Sequence, residues 1–106
     1  MNGKQKPALQ IEVLNGPLDG ANVVLSQETE WTGADQGQLS FPWDKELGQP
    51  QARFRLEADG WTLEGYKAPH GTYRLNKAEK IAGPTAIAAG DLLKASGTWL
   101  LVQKIE

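Results

Sequence analysis

Apolar and polar residues alternate at period two along much of this chain. Leu9-Gln10-Ile11-Glu12-Val13 puts three aliphatic side chains on one face and two polar ones on the other, the pattern of a strand with one buried face. Ala52, Phe54 and Leu56 alternate with Arg53, Arg55 and Glu57 in the same way. Asp59-Gly60 is a hairpin signal, and Trp61 to Glu64 is its return strand. Further short strands are predicted over residues 21–25, 28–32, 38–41, 72–75, 92–95 and 98–103, with another short pair inside 76–83. Turn residues separate them at Asn15 to Gly20, Ala34 to Gly37, Gly90-Asp91 and Ser96-Gly97. Residues 43–50 read as a polar loop with at most one helical turn at Asp44 to Leu47, and 84–89 is too short and too bounded by Gly and Pro for a helix.

No stretch sustains a 3.6-residue period over about ten residues. The predicted fold is therefore all-β, an antiparallel β-sandwich of about ten to eleven short strands with turn signals every ~8–12 residues. The hairpin over 92–102 is placed to cover the edge left by the first strands.

A length of 106 residues allows one core. The expected division is a disordered polar lead-in over 1–8 and one sandwich over 9–106. The chain has no cysteine, which excludes disulfides, thiolate chemistry and Cys-based zinc or iron–sulfur sites. That composition fits a reducing compartment, so a cytoplasmic location is expected. A net charge of −2 with interspersed signs argues against a dedicated nucleic-acid binder. No apolar run approaches the ~18 residues of a membrane helix, and no hydrophobic stretch follows Lys4 and Lys6 as a secretory signal requires.

Catalysis finds no support in the residues. The single histidine has no cysteine to pair with, and no Gly-x-Ser-x-Gly elbow exists. Asp19, Asp35, Asp44, Asp59 and Asp91 all fall in turns, where aspartate has a conformational reason to be. Calcium-loop spacing and a phosphate-cradling Gly-rich helix start are both missing. The expectation is a non-enzymatic protein without metal or cofactor.

The order of features resembles the forkhead-associated (FHA) domain. That family has a Gly-Arg after an early strand, a Ser-x-x-His before a central strand, an Asn-Gly-Thr loop and a Gly-Asp before the last hairpin. Here Gly33 follows Trp31-Thr32, and Gln51 to Phe54 with Glu57 to Glu64 is similar to the central hairpin. His70-Gly71-Thr72-Tyr73 resembles the Asn-Gly-Thr loop, Leu75-Asn76 the residues after it, and Ala89 to Leu93 the Gly-Asp turn. The likeness runs from about residue 9 to 103. It implies an adaptor or regulator that binds other proteins, and suggests a bacterial signalling or secretion assembly.

FHA domains typically bind phosphothreonine peptides at one end of the sandwich, through a guanidinium, a hydroxyl and donors that fix the peptide backbone. By the resemblance, the arginine position is Ala34, the serine and histidine positions are Gly48 and Gln51, and the loop serine and asparagine are Ala68 and His70. A phosphate with about −1.5 to −2 charges loses its fixed counter-ion and its hydroxyl in such a site. The expected partner is a protein or peptide for which phosphorylation is not required, met by a loop end of residues 33–37, 42–51 and 66–72.

Seven residues are the candidates there: Trp43, Gln49, Gln51, Lys67, His70, Thr72 and Arg74. An alternative is a rebuilt phosphopeptide site around Lys67, His70 and Arg74. Each has a plainer reading. His70 can cap backbone groups, Thr72 can hold its loop by bonding main chain, and Gly33 and Gly71 can be needed for backbone conformation. Arg53 and Arg55 are expected to pair with Glu57, Glu64 or solvent. Of the four tryptophans, Trp31, Trp61 and Trp99 sit in strand patterns and read as core or half-buried. Trp43 is either exposed beside Phe41, suited to a partner protein or a sugar ring, or folded back as a lid on the core. The sugar reading, a carbohydrate-binding sandwich, rests on the first of these.

Overall fold

The computed structural model describes residues 7–106. Eleven strands follow one another: β1 (Leu9–Val13), β2 (Asn22–Leu25), β3 (Thr29–Thr32), β4 (Leu39–Ser40), β5 (Ala52–Glu57), β6 (Gly60–Gly65), β7 (Thr72–Arg74), β8 (Glu79–Ile81), β9 (Thr85–Ala86), β10 (Leu92–Ala95) and β11 (Thr98–Ile105). They form a six-stranded sheet in the order β2-β1-β11-β10-β7-β8 and a five-stranded sheet in the order β4-β3-β5-β6-β9. Short 3-10 turns lie at Gly16–Leu18 and Leu75–Lys77. No helix among the described residues is long and apolar enough to cross a membrane.

The alternation read from the sequence becomes the core. Leu9, Ile11 and Val13 of β1 and Ala52 and Phe54 of β5 are fully buried, and their polar neighbours face outward. Trp31 stacks on Phe54 with ring centroids 6.3 Å apart, in the middle of the five-stranded layer. Each large side chain buried this way contributes roughly 1.5–3 kcal/mol. The last hairpin closes against the first strand as expected, because β11 lies between β1 and β10. A bulge between Gln10 and Ile11 shifts the β1–β11 register.

Several expectations change. The β3–β4 pair is parallel rather than antiparallel, with Trp31 opposite Leu39. The chain crosses over between them so that Leu39, like Trp31, points into the core. The stretch 43–50 is neither wholly polar nor helical: Asp44 and Leu47 are buried in it, and it forms turns around a cis Gln49–Pro50 peptide. Of the expected disordered lead-in, residues 1–6 lie outside the described residues. Pro7 and Ala8 are held: the Pro7 carbonyl accepts from the Trp61 indole at 3.0 Å, and Ala8 exchanges backbone bonds with Glu106.

Gly65 joins the sheets at the exit of β6. Its N–H donates to the Ala82 carbonyl at 2.8 Å, and a Cβ added there would sit 2.3 Å from the Ile81 carbonyl oxygen. That neighbour is backbone, so Gly65→Ala must push β6 away from the chain after β8. The expected cost is about 1–3 kcal/mol, read as a lowered urea midpoint at unchanged slope.

Candidate partner-binding site

The turns that gather at one end of the sandwich are tied to each other by side chains from the strands. The Gly33 N–H donates to the Gly48 carbonyl at 2.9 Å, joining the β3–β4 and β4–β5 loops. Gln51, at 0% exposure, stands beneath them. Its Oε1 accepts from the Gly48 N–H at 2.8 Å, and its Nε2 donates to the His70 carbonyl at 2.8 Å and the Thr72 hydroxyl at 2.9 Å. One amide therefore fixes two loops, the second being 66–71 between β6 and β7. The amide suits the task because it supplies an acceptor and a donor on the same rigid plane.

Asp44 ties the other side of this end. Its carboxylate accepts from the Ser96 hydroxyl at 2.8 Å, the Gly97 N–H at 2.9 Å and the Thr98 hydroxyl at 2.9 Å, all in the β10–β11 turn. Trp43 closes over the same turn. Its ring lies so near Gly16 that an added Cβ there would be 2.3 Å from Cζ2, and it also approaches Gly97. Asn15 completes the tie, donating to the Gly97 carbonyl and accepting from the Trp99 N–H.

The seven candidates thus divide. Gln49, Lys67 and His70 are exposed at this end. Gln51 and Thr72 are here too, but buried and bonded to each other. Trp43 is half-buried and packed against the core, and Phe41 is 1% exposed. The exposed Phe41–Trp43 pair does not form, because both rings have apolar surface to cover, and the sugar reading loses its platform.

Arg74, expected at the loop end, is not there. It lies toward the far end, with its guanidinium against Asp91, Glu79 and the Ala86 carbonyl. It is no free cation beside His70. Burial alone would lower its pKa, yet the bonds to Glu79 and Asp91 outweigh that and raise it.

Two smaller expectations also change. Thr72 bonds the Gln51 side chain rather than main chain. Gly33 and Gly71 have ordinary backbone angles, and their need is space: a Cβ at Gly33 would meet the Leu47 carbonyl oxygen at 2.8 Å, and one at Gly71 would meet Lys80 and Tyr73 at 3.1 Å. Arg53 and Arg55 pair outward as expected, with Glu28 and Glu30 added to Glu57 and Glu64 as partners. Arg53 also lies 5.3 Å over the Tyr66 ring, and burial pushes the Tyr66 phenol up.

A concavity of about 490 Å³ opens at the 66–71 loop, lined among others by Tyr66, Lys67, His70, Tyr73 and Lys80. Lys80 was not foreseen, because it comes from β8, a strand the sequence marks faintly. No cluster of three or more metal-ligating side chains forms among the described residues.

Gln51→Ala removes the amide that fixes both loops. Thr72 and the Gly48 N–H then lose their partner, a cost of about 2–3 kcal/mol. Hydrogen exchange at Gly48 is expected to accelerate well beyond that of the β10 amides.

The two sheets thus carry five turns tied together at one end. No family model and no curated protein matches the sequence. Solved structures do match. The FHA domain of an Arabidopsis thaliana hypothetical protein superposes with a TM-score of 0.84 at 16% identity, over 100% of this chain and 92% of that one. The chain has the FHA fold. The FHA domain of FhaA, solved in complex with the intracellular domain of Rv3910, matches with a TM-score of 0.75 at 16% identity, over 90% of this chain and 99% of that one. An FHA domain studied for phosphothreonine-dependent interactions matches at 0.74 and 15% identity, over 91% and 95% of the two chains. Within this fold, Gly33, Gly48, Gln51, Ala68, His70 and Thr72 share one end: Gly48 would meet the Ala68 methyl at 2.9 Å if it carried a Cβ.

Proposed function

We propose that this chain is a non-enzymatic protein-interaction module that meets its partner through the loop end and does not require phosphothreonine. The observation that carries this reading is the fate of Gln51. Its three hydrogen bonds all point inward, to Gly48, His70 and Thr72. Around it stand Ala34, Gly48 and Ala68, which offer a ligand no side-chain donor. Arg74 is spent on Asp91 and Glu79. What remains exposed is Gln49, Lys67 and His70, side chains suited to meeting a protein surface. The solved neighbours support an interaction role: one was crystallised with a protein domain and another was studied for binding phosphothreonine partners. On this reading the module serves as adaptor or regulator in a bacterial signalling or secretion assembly, in the cytoplasm, as the FHA resemblance suggests.

A second reading is favoured by the concavity at 66–71, where Lys67, His70 and Lys80 surround Gly71. A phosphate could be held there by flexible cations without the usual fixed contacts. A phosphothreonine peptide library and the same library unphosphorylated separate the two. The proposal expects equal retention of both sets. Selective retention of the phosphorylated set, lost in Lys67→Ala/Lys80→Ala, establishes the second reading instead.

A further inference from the structure

Strands β10 and β11 break the alternation that β1 and β5 keep. Leu92-Leu93 and Trp99-Leu100-Leu101-Val102 are apolar on both faces, a pattern of strands covered on both sides. Leu93, Leu100 and Val102 fill the core at 0% exposure. Leu92, Trp99 and Leu101 therefore stand on the outer face of the six-stranded sheet, half-buried by their neighbours alone.

The register makes this face continuous. Trp99 lies opposite Lys94, Lys94 opposite Tyr73, and Tyr73 opposite Lys80, one row across four adjacent strands. Leu101 and Leu92 form the next row, bordered on β1 by Glu12, whose carboxylate accepts from Gln103 at 2.7 Å. Cross-strand partners share a face and lie side by side, so aromatic rings and ammonium groups alternate along the row. Neither Lys80 nor Lys94 has an ion-pair partner among the described residues. The outer face of the other sheet differs, since Glu28, Glu30, Glu57 and Glu64 neutralise its two arginines.

We infer that the outer face of β11-β10-β7-β8 is a second docking surface, built for an acidic amphipathic segment of another protein. Apolar side chains of such a segment would cover Trp99, Leu101 and Tyr73, and its carboxylates would meet Lys94 and Lys80. Charge complementarity selects this occupant. A second copy laid face to face would bring the same lysines against each other, and like charges so placed oppose association. A basic segment meets the same repulsion. The face also runs into the loop end, through a hollow of about 380 Å³ lined by His70, Gly71, Tyr73, Lys94 and Ser96.

The probe is a phage-displayed random library of peptides about 12 residues long. It is selected on the wild-type protein with excess soluble Lys80→Glu/Lys94→Glu as competitor. Both positions are on the solvent side, so the variant keeps the fold, as its circular dichroism should confirm. Enriched clones are expected to combine Asp or Glu with apolar residues. They should bind wild type at least about tenfold more tightly than the charge-reversed variant, lose binding on Trp99→Ser, and bind Arg55→Ala, on the outer face of the other sheet, like wild type. Clones that bind wild type and the charge-reversed variant alike overturn the proposal, as does enrichment of basic clones. Self-association of wild type that the charge reversal abolishes also overturns it, by assigning the face to a second copy.

Discussion

Replacing Arg74 by Met is expected to destabilise the protein by about 3–5 kcal/mol, the largest effect of any single change considered. The side chain is 7% exposed and its partner Asp91 is 4% exposed. Arg74 Nη1 lies 2.9 Å from Asp91 Oδ2 and 3.0 Å from the Ala86 carbonyl, while Nε reaches Glu79 at 2.8 Å. Asp91 also accepts from the Asn76 amide at 3.0 Å and the Ala88 N–H at 2.9 Å, so β7, β9 and β10 meet at this pair. Without the guanidinium a carboxylate is left buried with neutral donors alone, and that uncompensated charge carries most of the cost. Arg74→Lys restores charge but not the planar fork, and an intermediate loss is expected. Asp91→Asn in the Arg74→Met background should recover part of the loss, because it removes the stranded charge.

The sign of the pH dependence follows from Asp91. Burial pushes its carboxyl up, but the bonds from Asn76, Ala88 and Arg74, with the charge of Arg74, pull it below the ordinary aspartate value. A depressed folded-state pKa stabilises the protein fully above the unfolded value of about 3.9, and that stability is lost as the pH falls through the folded value. In Arg74→Met the buried carboxyl titrates higher. The gap between variant and wild type is therefore widest near neutrality and narrows as the pH falls from the variant's higher value through the depressed wild-type one. Urea midpoints of both proteins across pH 3–7 check this.

Asp44→Ala should rank second, at about 2–4 kcal/mol, or a melting temperature lower by roughly 10–20 °C for a domain of this size. Asp44 is 7% exposed, and Thr98, one of its donors, is fully buried. Alanine orphans the buried Thr98 hydroxyl and removes the acceptor of the Gly97 N–H and the Ser96 hydroxyl. It also frees the 41–51 loop from the β10–β11 turn, on which Trp43 rests. Asp44→Asn should cost less. Its remaining oxygen can accept from Gly97 and Thr98, while the Ser96 hydroxyl rotates to accept from the new amide.

Much of this was legible in the sequence. The bounds of β1 fall where the alternation places them, β10 spans the residues read as a strand between two turns, and Ser96-Gly97 is the turn it reads as. These features are local, set by period and turn chemistry within a few residues. Asp44 was less legible. Aspartate in a turn has a sufficient local reason, here the Glu46 N–H at 3.4 Å, while its closer partners lie 52–54 positions away. Arg74 misled for a related reason. Nearness to His70 in sequence suggested a shared site, but His70 projects from the loop while Arg74, at the end of β7, faces inward toward Asp91. β4 falls inside the strand read over 38–41, whereas β9, two residues long, carries too few positions for a period to show. The unusual surface of β10 and β11 was visible as doubled apolar residues, but its row of rings and lysines emerges only with the register.

On the proposed reading the loop end works without a phosphate contact. The most direct measurement is a titration of the isotope-labelled protein with a phosphothreonine peptide, following the amide resonances of Gly33, Gly48, Ala68 and Gly71. The expected result is small, non-saturating shifts that match those caused by the unphosphorylated peptide. Saturating shifts at these four amides, caused by the phosphorylated peptide alone, would contradict it.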